Sequence, residues 1–226
     1  MKRARNRSSW SAILPALLVV SCRSTEQELI DRFFAASQRG DNETVAALSM
    51  VAFPGELNEW RVLGIGPAQK SPYEIPELRR AVEEAEDARD AQFKEFGAFR
   101  QENYDDLARI QRQLRQNPEY AFSGRLGELQ TAWDNYREER KEIVARLHRA
   151  EQELEGAFRR VTKSLQRESS PEYLVGETVQ KRARVRVSTG DRDRSYWVTL
   201  TRYELRNQFD AVVPARWIIT EIVPES

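Results

Sequence analysis

The sequence predicts an α+β protein in which a small antiparallel sheet with N-terminal helices is interrupted by a long antiparallel helical hairpin. Two observations predict it. Apolar and polar residues alternate as in strands near residue 60 and between residues 173 and 223, whereas residues 74 to about 168 combine dense charge with apolar residues at helical spacing. The predicted divisions are a leader (1–21), the first part of the α+β domain (22–72), the hairpin (73–169) and the second part of the domain (170–226).

The first 21 residues have the organisation of an export signal. A basic segment without acids, from Met1 to Arg7, precedes an uncharged apolar run from Ala12 to Val20. A helix needs about 20 apolar residues to cross a bilayer core, so this run is too short for a permanent span. We therefore expect the segment to be a signal peptide that is removed.

Cys22, the only cysteine of the chain, follows the apolar run directly. The stretch from Leu18 to Cys22 (LVVSC) resembles the lipobox of bacterial lipoprotein precursors, with Val19 where leucine is commonest. The resemblance implies cleavage before Cys22, a diacylglycerol thioether on its sulfur and usually an acyl chain on the new amine. It also implies a lipid anchor in a membrane of the bacterial cell envelope. By resemblance to enterobacterial lipoprotein sorting, Arg23 in place of aspartate implies the outer membrane, on its periplasmic side.

A lone thiol cannot form an internal disulfide, and an unpaired cysteine in an exported protein calls for an explanation. Lipidation of Cys22 supplies one. The alternatives are a plain secretory signal with an incidental thiol, and a cytosolic protein with an apolar N-terminus. A single acyl chain binds a membrane only reversibly, whereas two or more hold durably, so the rest of the chain can be fully soluble.

Charge argues against one class of partner. The chain has 36 basic and 36 acidic residues, and removal of the leader takes away four basic residues and no acids. The remainder has a formal charge of about −4. Because a chain without a basic excess has little general attraction for nucleic acid, we predict no nucleic-acid partner.

The first predicted elements of the domain are two short helices and a strand. Thr25 is expected to cap the first helix, since Glu28 follows it at capping-box spacing, and Gly40-Asp41 is expected to end it. Residues 42–50 predict the second helix, and residues 60–65 predict a strand after a Pro-Gly turn. The apolar residues expected to face the core are Leu29, Ile30, Phe33, Phe34, Val45 and Leu48.

The inserted segment has two halves separated by residues 117–124, which contain Pro118. In the second half apolar residues follow alternating steps of three and four: Leu126, Leu129, Trp133, Tyr136, Ile143, Leu147, Ala150, Leu154, Val161 and Leu165. A looser stripe in the first half comprises Leu78, Val82, Ala85, Phe93, Phe96, Phe99, Leu107, Ile110 and Leu114. We predict two antiparallel helices of about 42 residues, about 60 Å long, with Pro76 in the first turn and Ser123 as a possible cap.

The C-terminal part returns to strand patterning. Val179, Ala183, Val185 and Val187 alternate with polar residues, and two further runs, 195–203 and 216–222, follow across a turn and a longer loop. These runs predict a three-stranded antiparallel meander with one buried and one solvated face. Together with the first strand it would form a four-stranded sheet over the two helices.

Three segments of this domain resemble the NTF2-like, cystatin-related α+β fold, as found in small bacterial lipoproteins. They are the Phe33-Phe34-Ala35-Ala36 helix ending in Gly40-Asp41, the Trp60-Arg61-Val62 strand and the closing Arg216-Trp217-Ile218-Ile219 strand. The resemblance covers less than half of the chain, and it implies an NTF2-like base into which the hairpin is inserted.

Enzymes of that class commonly hold a His or Asp base inside the cone of the sheet. The only histidine, His148, lies next to Leu147 at a solvated flank position of the hairpin, and Asp31 and Glu221 are expected at the surface. Neither a zinc ligand set nor a phosphate loop, nucleophile elbow or HExxH motif occurs. We predict no enzyme activity, and no catalytic, cofactor or metal-binding residues.

Two residue groups allow binding interpretations beside structural ones. Arg182, Arg184 and Arg186 share a strand face and would line an anion groove or, as we favour, pair with acids of a neighbouring strand. The tryptophans at 60, 197 and 217 would floor an apolar ligand pocket or, as we favour, fill the core.

Aromatic residues of the hairpin are candidate contacts for a protein partner. Phe93, Phe96 and Phe99 predict either a widened seam of the hairpin or a docking patch, and Tyr120 and Phe122 at the hairpin tip are the predicted partner contacts. The favoured function is a non-catalytic, lipid-anchored interaction or scaffold protein whose hairpin meets a protein partner or a second copy. The alternatives are an apolar-ligand-binding NTF2-like protein or weak enzyme, and a periplasmic adaptor resembling efflux-pump fusion proteins.

Overall fold

The computed structural model describes residues 24–165, 170–189 and 192–225, with only the backbone of Arg192. Within these residues the protein is α+β, as predicted, with five α-helices and a six-stranded antiparallel sheet. The helices are α1 (Thr25–Arg39), α2 (Asn42–Leu48), α3 (Ile75–Glu102), α4 (Tyr104–Gln116) and α5 (Gly124–Ser164). The strands are β1 (Glu59–Ile65), β2 (Gln69–Pro72), β3 (Val175–Thr189), β4 (Arg192–Arg206), β5 (Val212–Val213) and β6 (Ile218–Pro224). The leader and Cys22 lie outside the described residues.

The long β3–β4 ladder organises the sheet, since its 15 residue pairs run from Val175–Arg206 to Thr189–Arg192. β1 pairs with the second half of β3 and β2 with its first half, while β6 and the short β5 pair with β4. The expectation of four strands was therefore incomplete. β2 has the polar sequence Gln-Lys-Ser-Pro, which gives no alternation, and it forms because β3 is long enough to offer it a free backbone edge.

The main core lies between α1 and one face of the sheet. Ile30, Phe33 and Phe34 are completely buried there, and the alternating row predicted on β3 is buried as expected. Lys181 interrupts that row and forms an ion pair with Glu26 of α1. Burial is the largest single influence and by itself would raise the pKa of Glu26, but the hydrogen bond from Lys181, the charge of Lys181 and further hydrogen bonds together lower it. The Lys181 ammonium at this edge of the core is therefore neutralised by the Glu26 carboxylate.

The ends of α1 differ in one respect from expectation. Gly40 ends the helix at φ +69°, as the Gly-Asp pair predicts, but the N-cap is Ser24, whose hydroxyl accepts from the Gln27 N–H. Thr25 is already helical and its hydroxyl donates to Glu26. The capping-box assignment was therefore wrong by one residue. α2 also ends two residues earlier than predicted, at Leu48.

A second core lies on the opposite face of the sheet. Val198 and Leu200 point toward α1, and because successive residues of a strand face opposite sides, Tyr203 and Leu205 point away from it. These two residues pack with Ile75 and Val161, which belong to the ends of α3 and α5. The long helices are therefore rooted on the face of the sheet that α1 does not cover.

Candidate functional site: the helical arm

α3, α4 and α5 form a projecting element that we call the helical arm (residues 75–164). α3 and α4 run antiparallel to α5, as shown by contacts that join Glu74 to Arg160, Gln92 to Tyr136 and Asp106 to Arg125. In the described part of the chain, every hydrogen bond, ion pair and buried cluster that joins the arm to the base involves residues 73–79 or 154–165. The part of α5 that lies outside this root runs from Gly124 to Leu154, about 30 residues, and is about 45 Å long.

The root of the arm is held by a partly buried polar contact. The Arg160 guanidinium donates to Glu74 Oε1 at 2.9 Å, and the Tyr203 hydroxyl reaches the same oxygen at 3.3 Å. Burial is the largest single influence on Arg160 and opposes its charged form, but the hydrogen bond to Glu74, the charge of Glu74 and the contact with Tyr203 together raise its pKa. Burial, helped by the charge of Glu74, raises the pKa of Tyr203. Tyr203 therefore remains a neutral phenol that donates to the carboxylate.

A second set of contacts joins α5 to the edge of the base. Lys163 donates to the carbonyl oxygens of Ala46 and Ser49, which belong to the last turn and C-cap of α2. Ser164 and Arg216 exchange two hydrogen bonds, one from the Ser164 hydroxyl at 2.6 Å and one from the Arg216 N–H at 2.8 Å. These contacts on two sides orient the arm relative to the sheet.

In the middle of the arm aromatic rings form the interface between the helices. Phe96 lies 5.0 Å from Trp133 and 5.7 Å from Tyr136, and Phe99 lies 5.0 Å from Tyr136, measured between ring centroids. Phe93 was predicted to belong either to this seam or to a docking patch, and at 66% exposure it lies outside the seam. Gln92 is buried in its place and donates its side-chain amide to the Tyr136 carbonyl oxygen.

The first half of the arm is not one continuous helix. It breaks at Asn103, whose side-chain amide donates to the Phe99 carbonyl oxygen, and α4 begins at the next residue. The prediction of two uninterrupted helices of about 42 residues was therefore right only for α5, which has 41. Leu107 and Ile110 of α4 are buried against α5.

Two open grooves flank α4 and share Trp133. One is apolar and includes Leu107, Ile110 and Leu114. The other, of about 650 Å³, is lined by Arg100, Tyr104, Arg112, Arg115 and Trp133 among others, and no acid lines it. In the part of the chain that the structure describes, none of these three arginines forms an ion pair. The distal arm thus presents aromatic and cationic groups to solvent.

The tip of the arm holds the two predicted contact residues together. Tyr120 is 43% exposed, and its ring lies 4.8 Å from that of the half-buried Phe122 in an edge-on arrangement. Ser123 occupies the N-cap position of α5 without a side-chain hydrogen bond. A Cβ on Gly127 would lie 2.8 Å from the Phe122 carbonyl oxygen, so glycine lets the tip fold closely onto α5.

The other candidate residues do not form one site. Trp60 packs against Phe34 and donates to Asp31 at 3.0 Å, and Trp217 lies in the same core. Trp197 is on the opposite face, under the Arg182 guanidinium. A pocket floored by all three tryptophans is therefore excluded by the strand register.

The polar candidates are also dispersed. Glu221 is exposed and accepts from the Thr199 hydroxyl, and His148 is exposed beside Gln152 and Glu151 on α5. Among the described residues no group of three or more His, Cys, Asp or Glu is placed to hold a metal ion.

Of the predicted arginine row, Arg184 pairs with Glu225 at 2.7 Å and Arg182 stacks on Trp197. Arg186, however, lies opposite Arg61 on β1 rather than opposite an acid. Glu225 follows β6, which pairs with β4 and not with β3, so among the described residues the expected pairing with acids of a neighbouring strand is found for none of the three.

No helix in the described ranges is both long and apolar enough to cross a membrane. No family model, curated protein or solved structure matches the chain.

Proposed function

We propose that this protein is a non-catalytic, lipid-anchored scaffold of the bacterial cell envelope. In this proposal the base is NTF2-like, and the helical arm is a coiled-coil hairpin inserted into it that meets a protein partner. The observation that carries the proposal is the length of arm beyond the root, about 45 Å, with the Tyr120–Phe122 pair at its end.

The interior of the base supports a structural role rather than a ligand pocket. The space between α1 and the sheet is occupied by Ile30, Phe33 and Phe34, which have no exposed surface. Phe34 contacts Phe53 and Trp60, so aromatic rings fill the region where a cone-shaped ligand site would lie. Recognition of a partner is therefore expected at the outer surfaces.

The position of Cys22 also suits an anchor. Ser24 already caps α1, so only two residue steps separate the proposed lipid from the folded base. Two extended residues span about 7 Å, which would hold the base against the membrane surface. The arm is then the part of the chain able to reach other components.

Metabolic labelling with palmitate tests the anchor. The wild-type chain, expressed in a bacterium with lipoprotein processing, should incorporate label and lose residues 1–21, whereas Cys22→Ala should do neither. Ser21→Ala keeps a small residue before the cysteine and should still be labelled. Equal labelling of wild type and Cys22→Ala would remove the lipoprotein assignment, because palmitate would then be attached elsewhere.

Affinity capture tests the tip. The variant Tyr120→Ser with Phe122→Ser should recover much less of any partner that wild type captures after cross-linking in the envelope, because exposed aromatic residues dominate many interfaces. Phe209→Ser is a matched control, since Phe209 is 79% exposed in a loop of the base. Recovery unaffected by the tip substitutions but reduced by the control would place the contact on the base.

A further inference from the structure

One side of the helical arm carries a regular line of exposed charged and aromatic side chains. Beside the row of α3 that contacts α5, side chains at alternating three- and four-residue spacing form a line that continues to the start of α4. All of its members are exposed, and we call this line the Phe93 flank: Glu83, Glu86, Asp90, Phe93, Gly97, Arg100 and Tyr104.

The ends of the Phe93 flank carry opposite charges. The three acids lie toward the root, whereas Arg100 lies toward the tip beside the groove that also contains Arg112 and Arg115. Phe93, between them, is 66% exposed, and Tyr104 is 64% exposed. Large exposed apolar groups bordered by unlike charges are a feature of protein interfaces.

We propose that the Phe93 flank binds a second copy of this chain, with the two arms side by side and antiparallel. A two-fold axis midway between Phe93 and Gly97 places the Phe93 ring of each copy on Gly97 of the other. The same axis sets Asp90 opposite Arg100 and Glu86 opposite Tyr104. Each contact then occurs twice, as a two-fold interface requires.

Gly97 suits the position opposite Phe93. A Cβ built on Gly97 would meet nothing within 4 Å beyond its own stretch of helix backbone, so the helix surface is open there. Within the described ranges the Asp90 carboxylate is paired with its sequence neighbour Arg89 alone, at 2.8 Å, and its side chain is 60% exposed. It is therefore accessible to a guanidinium from a second arm.

Charge decides the direction of the two arms. In a parallel, in-register pair, Asp90 would face Asp90 and Arg100 would face Arg100, which places like charges opposite each other at both ends. In the antiparallel pair both contacts become attractive. This surface is separate from the tip residues of the proposed function, so failure at one leaves the other intact.

Charge reversal tests the proposal on the full chain in detergent, with molar mass measured by light scattering. Wild type should dimerise. Asp90→Arg and Arg100→Asp should each weaken self-association by roughly tenfold or more, since each makes both ion-pair sites repulsive. An equimolar mixture of the two variants should dimerise again. At one site of the mixed dimer the introduced arginine faces the introduced aspartate, and at the other the native pair remains.

Asp87→Arg makes the same charge change on the outer face of α3 and should leave the dimer unchanged. Circular dichroism should show that all variants retain their helices. Three results would each overturn antiparallel pairing through the Phe93 flank: a monomeric wild type, a mixture that stays monomeric, or self-association weakened equally by Asp87→Arg. A dimer insensitive to all three substitutions would place self-association on another surface and overturn it too.

Discussion

Replacing Phe34 by alanine should lower the free energy of unfolding by about 3–5 kcal/mol, the usual cost of removing a buried phenyl ring. Phe34 has no exposed surface and contacts three aromatic rings, with centroid distances of 5.2 Å to Phe33, 5.5 Å to Phe53 and 6.1 Å to Trp60. The surrounding rings are held by α1, β1 and the loop between α2 and β1, so collapse into the cavity would be incomplete.

Urea titration followed by tryptophan fluorescence measures this loss, since Trp60 lies beside the new cavity. Phe209→Ala removes the same ring from a 79% exposed position and should change the unfolding free energy by less than about 0.5 kcal/mol. Equal effects of the two substitutions would show that the core between α1 and the sheet does not limit stability.

Gly176→Ala should destabilise the protein by about 3 kcal/mol through backbone strain and steric conflict. Gly176 has φ +146°, a conformation that favours glycine, and a Cβ there would lie 2.1 Å from the Glu204 carbonyl oxygen. To relieve this steric conflict, β3 and β4 would have to separate where Gly176 pairs with Leu205. Because Tyr203 and Leu205 of β4 hold the root of the arm, the substitution should also loosen the arm from the base.

Thermal melts and amide hydrogen exchange together measure both effects. Gly64→Ala is the control in the same sheet, since Gly64 has no positive φ and a Cβ there meets nothing within 4 Å. It should melt near the wild-type temperature. Amide hydrogen exchange at the C-terminal end of α5, where the arm joins the base, should be faster in Gly176→Ala only. A wild-type melting temperature for Gly176→Ala would show that the strand pair is not as closely apposed as described.

Local sequence patterns predicted the elements well where one side of an element is buried. The row on α5 was predicted from its spacing, and Leu147, Ala150 and Val161 are buried as expected. The row on β3 follows its period of two in the same way. Both patterns depend only on the geometry of one helix or strand, so they can be recognised without knowing the partner element.

Prediction was weaker where the contact partner decides the outcome. Gln92 and Phe93 are adjacent, and hydrophobicity favours Phe93 as the buried residue. The Tyr136 carbonyl oxygen on α5 accepts a hydrogen bond from the Gln92 amide, so the polar residue is buried without an unpaired group. At the break, the side-chain amide and the backbone N–H of Asn103 both donate to the Phe99 carbonyl oxygen, a contact that the spacing of apolar residues does not reveal.

By itself the sequence determined the α+β class, the positions of most helices and strands and the faces they bury, because these follow from residue spacing along a single segment. Only the tertiary structure decided that the arm is rooted on the face opposite α1, that Trp197 is separated from Trp60 and Trp217, and that Phe93 is exposed. These features depend on strand register and on contacts between residues far apart in the chain, which no local periodicity encodes.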